Sequence, residues 1–176
     1  MPRSAIHLAT GIAVRDERLL MVASRYPNQP QPLWNLPGGR QQPGELLVET
    51  VVREFYEETH VRVHAGALAY VSESYDGDQH FLNATFLVEV VSVSSFDCAQ
   101  DDTGRRQDDT GRRQDDTGPG DHVVAVEWVT LDAVSERIAV RVVREPLVAY
   151  LESRSERRYT GYHDAGITIE WPADSL

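Results

Sequence analysis

The stretch from Gly39 to Val61 constrains the fold of this chain more than any other part of the sequence. It follows a Pro37-Gly38 pair, and no glycine or proline interrupts it between Glu45 and Thr59. Apolar residues recur within it at helical spacing, namely Leu47, Val48, Val51, Val52 and Phe55. The pattern predicts a tight glycine turn followed by an amphipathic helix of about four turns.

Three glutamates share one face of this predicted helix. Glu54, Glu57 and Glu58 lie at positions i, i+3 and i+4, and Glu45 stands at the helix start. Two carboxylates about 4 Å apart repel each other by roughly 4 kcal/mol at an effective dielectric constant of 20. A bound cation relieves that repulsion, and clustered carboxylates suit Mg²⁺, a hard ion that prefers oxygen ligands. The alternative is a solvated acidic face. The preceding glycines favour the metal site, because they let a backbone carbonyl approach an ion closely.

The spacing of these residues resembles the signature of the Nudix hydrolase family. That signature is a glycine, five residues, a glutamate, seven residues, Arg-Glu, an apolar residue, any residue, Glu-Glu, any residue, a glycine and an apolar residue. The matching positions here are Gly39, Glu45, Arg53, Glu54, Phe55, Glu57, Glu58 and Val61. The resemblance covers Ala5–Ser153, and the chain departs from the signature at His60, which replaces the second glycine.

The resemblance implies a magnesium site and a set of catalytic residues. The metal ligands, with Mn²⁺ as an alternative ion, would be Gly38 through its carbonyl, Glu45, Glu54, Glu57 and Glu58. The catalytic set would be Glu58, Glu57 and Arg53, with Glu58 as the first choice for the general base. Weaker candidates for that base are Asp121, His122 and Glu73. Arg25 and Gly39 are predicted to contact substrate, although a surface arginine is an equal alternative for Arg25.

His60 is predicted to end the helix in the left-handed conformation that the family glycine adopts. Such a conformation costs a non-glycine residue about 1 kcal/mol, and histidine tolerates it better than most. The substitution therefore predicts a modest loss of stability.

The rest of the chain predicts a mixed β-sheet sandwiched between helices, which is an α/β Nudix fold in a single domain over residues 1–176. Ile6–Val14 and Leu19–Ser24 indicate a β-hairpin. Further strands are predicted at Ala67–Val71, at Phe81–Val93 (a central strand) and at Val123–Thr130. Val142–Leu151 predicts a C-terminal helix that contains Pro146.

A low-complexity segment interrupts the predicted strands. Asp101–Gln107 reads DDTGRRQ, Asp108–Gln114 repeats it, and Asp115 begins a third copy. Because the repeat contains no apolar residue, residues 98–121 are expected to form a disordered loop between two strands.

The composition of the chain limits the classes of molecule that it is expected to bind. The chain carries 28 acidic and 17 basic side chains, for a formal net charge of −11, so it is a poor match for polynucleotides. If it handles phosphates, it needs a cation as intermediary. No signal peptide and no apolar run long enough to span a membrane is evident, which predicts a cytoplasmic protein. A homodimer is left open.

The expected reaction is Mg²⁺-dependent hydrolysis of the pyrophosphate bond in a nucleoside diphosphate linked to another group. Nucleoside triphosphates, oxidised nucleotides, ADP-ribose and nucleotide sugars remain open as substrates. Four aromatic residues are candidates to stack on a base or to pack in the core: Trp34, Tyr70, Tyr75 and Phe81. Two alternatives are a catalytically silent Nudix-fold module that binds nucleotides in a regulatory role, and an isomerase on the same fold.

Overall fold

The structure is a computed structural model, and it describes residues 5–91, 122–153 and 158–170. The strands are Ile6–Ile12 (β1), Val14–Arg15 (β2), Arg18–Ser24 (β3), Leu33–Asn35 (β4), Gly38–Arg40 (β5), Val63–Asp76 (β6), Gln79–Val90 (β7), Val123–Thr130 (β8) and Tyr159–Tyr162 (β9). The helices are Leu47–Thr59 (α1), Val134–Arg137 (α2) and Arg141–Glu152 (α3), with a 3₁₀ turn at Leu131–Ala133.

The strands form two sheets. The first has the order β5-β1-β7-β6-β9, in which β1 runs parallel to β7 and β9 parallel to β6, while the other pairs are antiparallel. The second sheet is built on β3, which pairs with β8 along one edge and with β2 and then β4 along the other. The predicted mixed α/β class is confirmed, with two sheets where a single sheet was expected.

The predicted hairpin is wrong for most of its length. Only the two residues of β2 pair with β3, through Val14 with Leu19 and Arg15 with Arg18. Strand β1 instead lies between β5 and β7 in the other sheet. The chain therefore crosses from one sheet to the other near Ala13, so that two adjacent apolar runs enter different sheets.

Helices cover two separate apolar clusters. Phe55 and Val51 of α1 pack in one cluster, and Leu147 of α3 packs in the other. Strand β3 serves both clusters, because Leu19 and Met21 belong to the α3 cluster whereas Leu20 belongs to the α1 cluster. This alternation follows from the two-residue period of a strand, and it places helices against both faces as predicted.

The remaining strands and helices agree with the predictions apart from their ends. Strand β7 is the middle strand of its sheet, β8 has the predicted bounds, and β6 extends beyond the predicted Ala67–Val71 in both directions. Helix α1 begins at Leu47, two residues after Glu45, and Pro146 is buried inside α3. The repeat and the predicted loop 98–121 fall within residues 92–121, which lie outside the described residues. Among the helices of the described part of the chain, none is long and apolar enough to cross a membrane.

Candidate active site

Strand β5 brings a pair of glycines against the end of helix α1. Gly38 has a φ of +146°, and a Cβ added to it would lie 2.2 Å from the carbonyl oxygen of Ala9, so only glycine fits there. The Gly38 backbone N–H donates a 2.8 Å hydrogen bond to Oε2 of Glu58. This bond joins the glycine turn to the helix and fixes one oxygen of the Glu58 carboxylate.

Gly39 leaves the space that the Glu54 carboxylate fills. A Cβ at Gly39 would lie 2.5 Å from Oε2 of Glu54, which is closer than real side chains approach. The Glu54 side chain is 16% exposed. Burial raises the pKa of Glu54 to about 7; the charges of Glu58 and Glu57 add to that rise, and hydrogen bonding from Arg53 opposes it.

Glu58 is the most buried carboxylate of the site. The residue is only 4% exposed, and burial raises the pKa of its carboxyl group above the ordinary value. Hydrogen bonds from His122 and from the Gly38 N–H oppose that rise. His122 Nε2 lies 3.5 Å from Oε1 of Glu58, so two of the residues proposed as general base are neighbours.

Arg53 ties the remaining carboxylates together. We use "acidic cluster" for Glu45, Glu54, Glu57 and Glu58. Arg53 binds Glu45 through two hydrogen bonds of 2.6 and 2.9 Å, Glu54 at 2.8 Å and Glu57 at 2.9 Å. Its remaining bond goes to the Arg40 carbonyl at 3.0 Å. The hydrogen bond from Arg53 is the main reason why the pKa of Glu45 falls to about 2.

The donor set of the cluster fits a hard divalent cation. Carboxylate oxygens are the ligands such an ion prefers, and a positive charge would stabilise the ionised Glu54 and Glu58 whose burial raises their pKa. Within the described residues, no three acidic, histidine or cysteine side chains already converge as a cation site. Glu54 and Glu57 are instead engaged by Arg53, and one oxygen of Glu58 by Gly38.

A cleft with a cavity volume of about 150 Å³ lies beside these glycines and Glu58. Its floor includes polar residues of the first sheet. Thr10 and Asn83 of this floor form a hydrogen-bonded group with the buried Thr85, with 2.9 Å between the two threonine hydroxyls. The polar residues of the lining are Thr10, Ser24, Tyr26, Asn35, Glu58, Tyr70, Ser72, Ser74, Asp76 and Asn83. The described residues that line the cleft include no lysine or arginine.

Two of the other predicted site residues point elsewhere. Arg25 is exposed and does not line the cleft, although its backbone N–H donates to the His122 carbonyl at 2.8 Å. Glu73 accepts hydrogen bonds from Tyr159 and from His80, the latter at 2.5 Å, while its neighbours in β6 line the cleft. Asp121 lies outside the described residues.

The four candidate aromatic residues divide evenly. Tyr70 and Phe81 line the cleft. Trp34 packs beneath the Arg137 guanidinium at 4.8 Å, and Tyr75 stacks on His80 with 4.6 Å between ring centroids. Trp34 and Tyr75 therefore have packing partners within the protein, outside the cleft lining.

Sequence reasoning missed the polar floor of the cleft. Ser72, Ser74 and Asp76 recur at the two-residue period of a strand, which places them on one face of β6. Polar residues repeated along one face of a strand were a signal that could have identified this floor.

Comparison with known proteins places these observations in a family. The NUDIX domain family model matches residues 5–151. Diphosphoinositol polyphosphate phosphohydrolase 2 of Homo sapiens is 43% identical over 61 residues, which is 35% of this chain and 32% of that protein. Nucleoside diphosphate-linked moiety X motif 6 of Mus musculus is 34% identical over 62 residues, covering 35% of this chain and 19% of that protein. The matched segment thus spans a third or less of these two relatives.

Solved structures share the fold over most of the chain. A NUDIX hydrolase from Nitrosomonas europaea superposes with a TM-score of 0.65 at 18% identity, covering 89% of this chain and 93% of that one. The E. coli ORF135 protein gives a TM-score of 0.61 at 18% identity, covering 86% and 92% of the two chains. At these identities the likeness concerns the fold.

Proposed function

The chain belongs to the NUDIX domain family, and on that premise we propose that it hydrolyses the pyrophosphate bond of a nucleoside diphosphate linked to another group. One observation carries the proposal. The acidic cluster and the Gly38-Gly39 pair lie together at one end of a cleft, and Glu58 belongs to both the cluster and the cleft lining.

Divalent metal is the proposed cofactor, with Mg²⁺ as the first choice and Mn²⁺ as the alternative. Glu54, Glu57 and Glu58 would hold it, together with the Gly38 carbonyl, and Glu45 would support the cluster. When bound, such an ion neutralises phosphate charge and lowers the pKa of a coordinated water. Glu58 and Asp76 line the cleft, and the described lining includes no positively charged side chain that could bind a diphosphate. Substrate binding in this cleft would therefore depend on the cation.

Glu58 is the proposed general base. A water oxygen forms a bond to phosphorus, the bond to the bridging oxygen breaks, and that oxygen leaves with the electron pair. Glu58 takes the proton that the water loses, and the products are two phosphate-bearing halves. Burial raises the pKa of the Glu58 carboxyl, which is the direction in which a carboxylate becomes a stronger base. The adjacent His122 is the alternative base.

Arg53 is a positioning residue in this proposal. Arg53 does not line the cleft. It acts by holding three carboxylates of the acidic cluster. The bidentate bond with Glu45 anchors its guanidinium, and the same guanidinium then fixes the rotamers of Glu54 and Glu57.

A substrate panel tests the function. Purified protein would be incubated with Mg²⁺ and with Mn²⁺, and the two phosphate-bearing products would be separated by anion-exchange chromatography. The substrates are nucleoside triphosphates, 8-oxo-dGTP, ADP-ribose, UDP-glucose, dinucleoside polyphosphates and a diphosphoinositol polyphosphate. We expect hydrolysis of at least one nucleoside diphosphate derivative, abolished by EDTA and by Glu54→Gln. If nothing is hydrolysed with either metal while nucleotides still bind, the chain is instead a catalytically silent nucleotide-binding module.

A further inference from the structure

The segment of residues 163–170, here called the C-terminal strap, closes one side of the cleft. It follows β9 and lies beyond residues 5–151, the part of the chain that matches the family. Its exposure alternates, with Ala165, Ile167 and Ile169 buried or half-buried and Gly166, Thr168 and Glu170 exposed. This two-residue alternation gives the strap an inner apolar face, as in a strand.

Hydrogen bonds tie the strap to both sides of the cleft. On the β6 side, the Ala165 N–H donates to the Tyr75 carbonyl at 2.7 Å, and the Thr168 hydroxyl donates to Asp76 at 2.8 Å. On the side of the loop after β3, the Asn28 side chain donates to the Thr168 carbonyl at 2.8 Å and accepts from the Glu170 N–H at 3.0 Å. The strap therefore bridges the two sheets across the cleft.

The inner face of the strap forms part of the cleft wall. Ala165, Ile167 and Ile169 all line the cavity, and the two isoleucines also pack near Tyr26, Leu33 and Val140. The described part of the cleft wall has no positive charge that could bind a polyanion, because no lysine or arginine is among the described lining residues. Recognition of several phosphates depends on arginine and lysine side chains. The wall instead suits an uncharged, largely apolar surface with a few hydrogen-bonding groups.

We propose that Ile167 and Ile169 are specificity-determining residues, which hold the uncharged organic group of the diphosphate substrate against the strap. This inference rests on the proposed function and assigns the residues that hold the organic group of its substrate. It selects a nucleoside-type group, whose flat base has an apolar face and polar edges that Asn35, Asn83 and Asp76 can meet. It excludes a phosphorylated inositol ring, although the name of one relative refers to diphosphoinositol polyphosphates.

Kinetics of strap variants test this assignment. On the panel substrate that the wild type hydrolyses best, Ile167→Ala and Ile169→Ala should each raise KM about 10-fold, the usual effect of removing methyl groups from an apolar pocket, with kcat within twofold. Ile169→Arg should raise KM for that substrate further and should create binding of inositol hexakisphosphate. Val124→Ala, an exposed β8 position, is the matched control and should change neither constant.

A binding measurement separates this inference from the proposed function. Titration calorimetry would follow AMP, GMP and inositol hexakisphosphate, with melting temperature as the check of folding. We expect the wild type to bind a nucleotide but not inositol hexakisphosphate, and both alanine variants to bind the nucleotide more weakly. If no panel substrate is hydrolysed but this pattern holds, the hydrolase proposal fails and the strap assignment stands. If turnover is found but the folded alanine variants keep wild-type KM and nucleotide affinity, the strap assignment is wrong.

Discussion

Arg53 uses each of its five guanidinium N–H groups, four on the acidic cluster and one on a backbone carbonyl. A guanidinium has five donors in a fixed planar arrangement, so its orientation is fully determined here. Glu45, Glu54 and Glu57 are held by it, whereas Glu58 is held by Gly38 and His122. The cluster thus has two parts, and only the buried part also lines the cleft.

This division predicts different consequences for two glutamine substitutions. The side chain of Glu57 is 51% exposed and forms an ion pair with Arg53, whereas Glu58 is buried beside the cleft. We expect saturating Mg²⁺ to restore much of the activity of Glu57→Gln, because excess metal offsets weakened binding. Glu58→Gln should stay about 100-fold or more below wild type, the usual loss when a general base is removed.

The control for that prediction is His122→Gln, measured in the same metal titration. It removes the neighbour of Glu58 but leaves the carboxylate, so it should cost less activity than Glu58→Gln. If His122→Gln abolishes turnover while Glu58→Gln remains active at high Mg²⁺, histidine is the base and the assignment of Glu58 is wrong.

His60 ends helix α1 in the predicted left-handed conformation, with a φ of 55°. Its ring also meets Tyr56 edge-on at a centroid distance of 5.8 Å, a contact that sequence reasoning did not foresee. His60→Gly relieves the strain but loses this contact, whereas His60→Ala loses the contact and keeps the strain. His60→Gly should therefore be more stable than His60→Ala by about 1 kcal/mol.

Urea unfolding of the two variants and of wild type measures this difference. Against wild type, His60→Gly should gain at most about 1 kcal/mol, because the lost contact with Tyr56 offsets part of the relieved strain. Equal stability of the glycine and alanine variants would show that the left-handed backbone at residue 60 carries no strain.

The parts of the site that sequence could predict are the local ones. Glu54, Glu57 and Glu58 share a face because three- and four-residue spacings meet within a single helix. Asp76 and Thr168 are hydrogen-bonded only because β6 and the strap, far apart in the chain, are brought together by the fold. No spacing along the chain encodes such a contact.

At the scale of whole elements, the same limit explains the wrong hairpin. Two apolar runs joined by a short polar turn favour local pairing, yet β1 pairs in parallel with β7, more than 70 residues away in the sequence. Strand β8 and the ends of α1 and α3 were predictable within a few residues, because their apolar periodicity is internal to each segment. The partner of a strand depends on the assembled sheet.

Strand β5 offers a test of how closely the glycine turn and α1 fit together. Gly39→Ala places a methyl group against the Glu54 carboxylate, where the distance for the new Cβ would be 2.5 Å. We expect destabilisation of about 1–3 kcal/mol, typical of overpacking, together with weaker Mg²⁺ binding as Glu54 is displaced. Thermal unfolding and metal titration measure both effects.

Gly161→Ala is the matched control for that substitution. It also adds a methyl group to a strand glycine, but the nearest atom would be the hydroxyl end of the exposed Tyr159 side chain at 3.1 Å, which can move. Unaltered Mg²⁺ affinity in Gly39→Ala would mean that the orientation of Glu54 in this structure is not the one in which it binds metal.

For the molecule as a whole, the net charge and the residues that line the cleft both indicate that binding of a diphosphate requires a cation. The net charge of −11 repels a diphosphate, and the described cleft lining adds Glu58 and Asp76 without a compensating arginine or lysine. The acidic cluster lies at the junction of the α1 cluster and the cleft, so an ion there acts on the stability of the fold as well as on the substrate. Metal binding should therefore be visible in the unfolding of the entire chain.

Mg²⁺ should stabilise the full chain against heat. A ligand that binds only the folded state adds about 2.7 kcal/mol at 100 times its dissociation constant, which for a chain of this size raises the melting temperature by about 5–10 °C. EDTA should reverse the rise. Glu54→Gln should remove most of it, because one of the carboxylates proposed to bind the ion is neutralised, whereas Glu89→Gln, an exposed glutamate of β7, should keep it. A rise of equal size in both variants would show that Mg²⁺ acts through the general negative charge of the surface, and the metal assignment to the acidic cluster would fail.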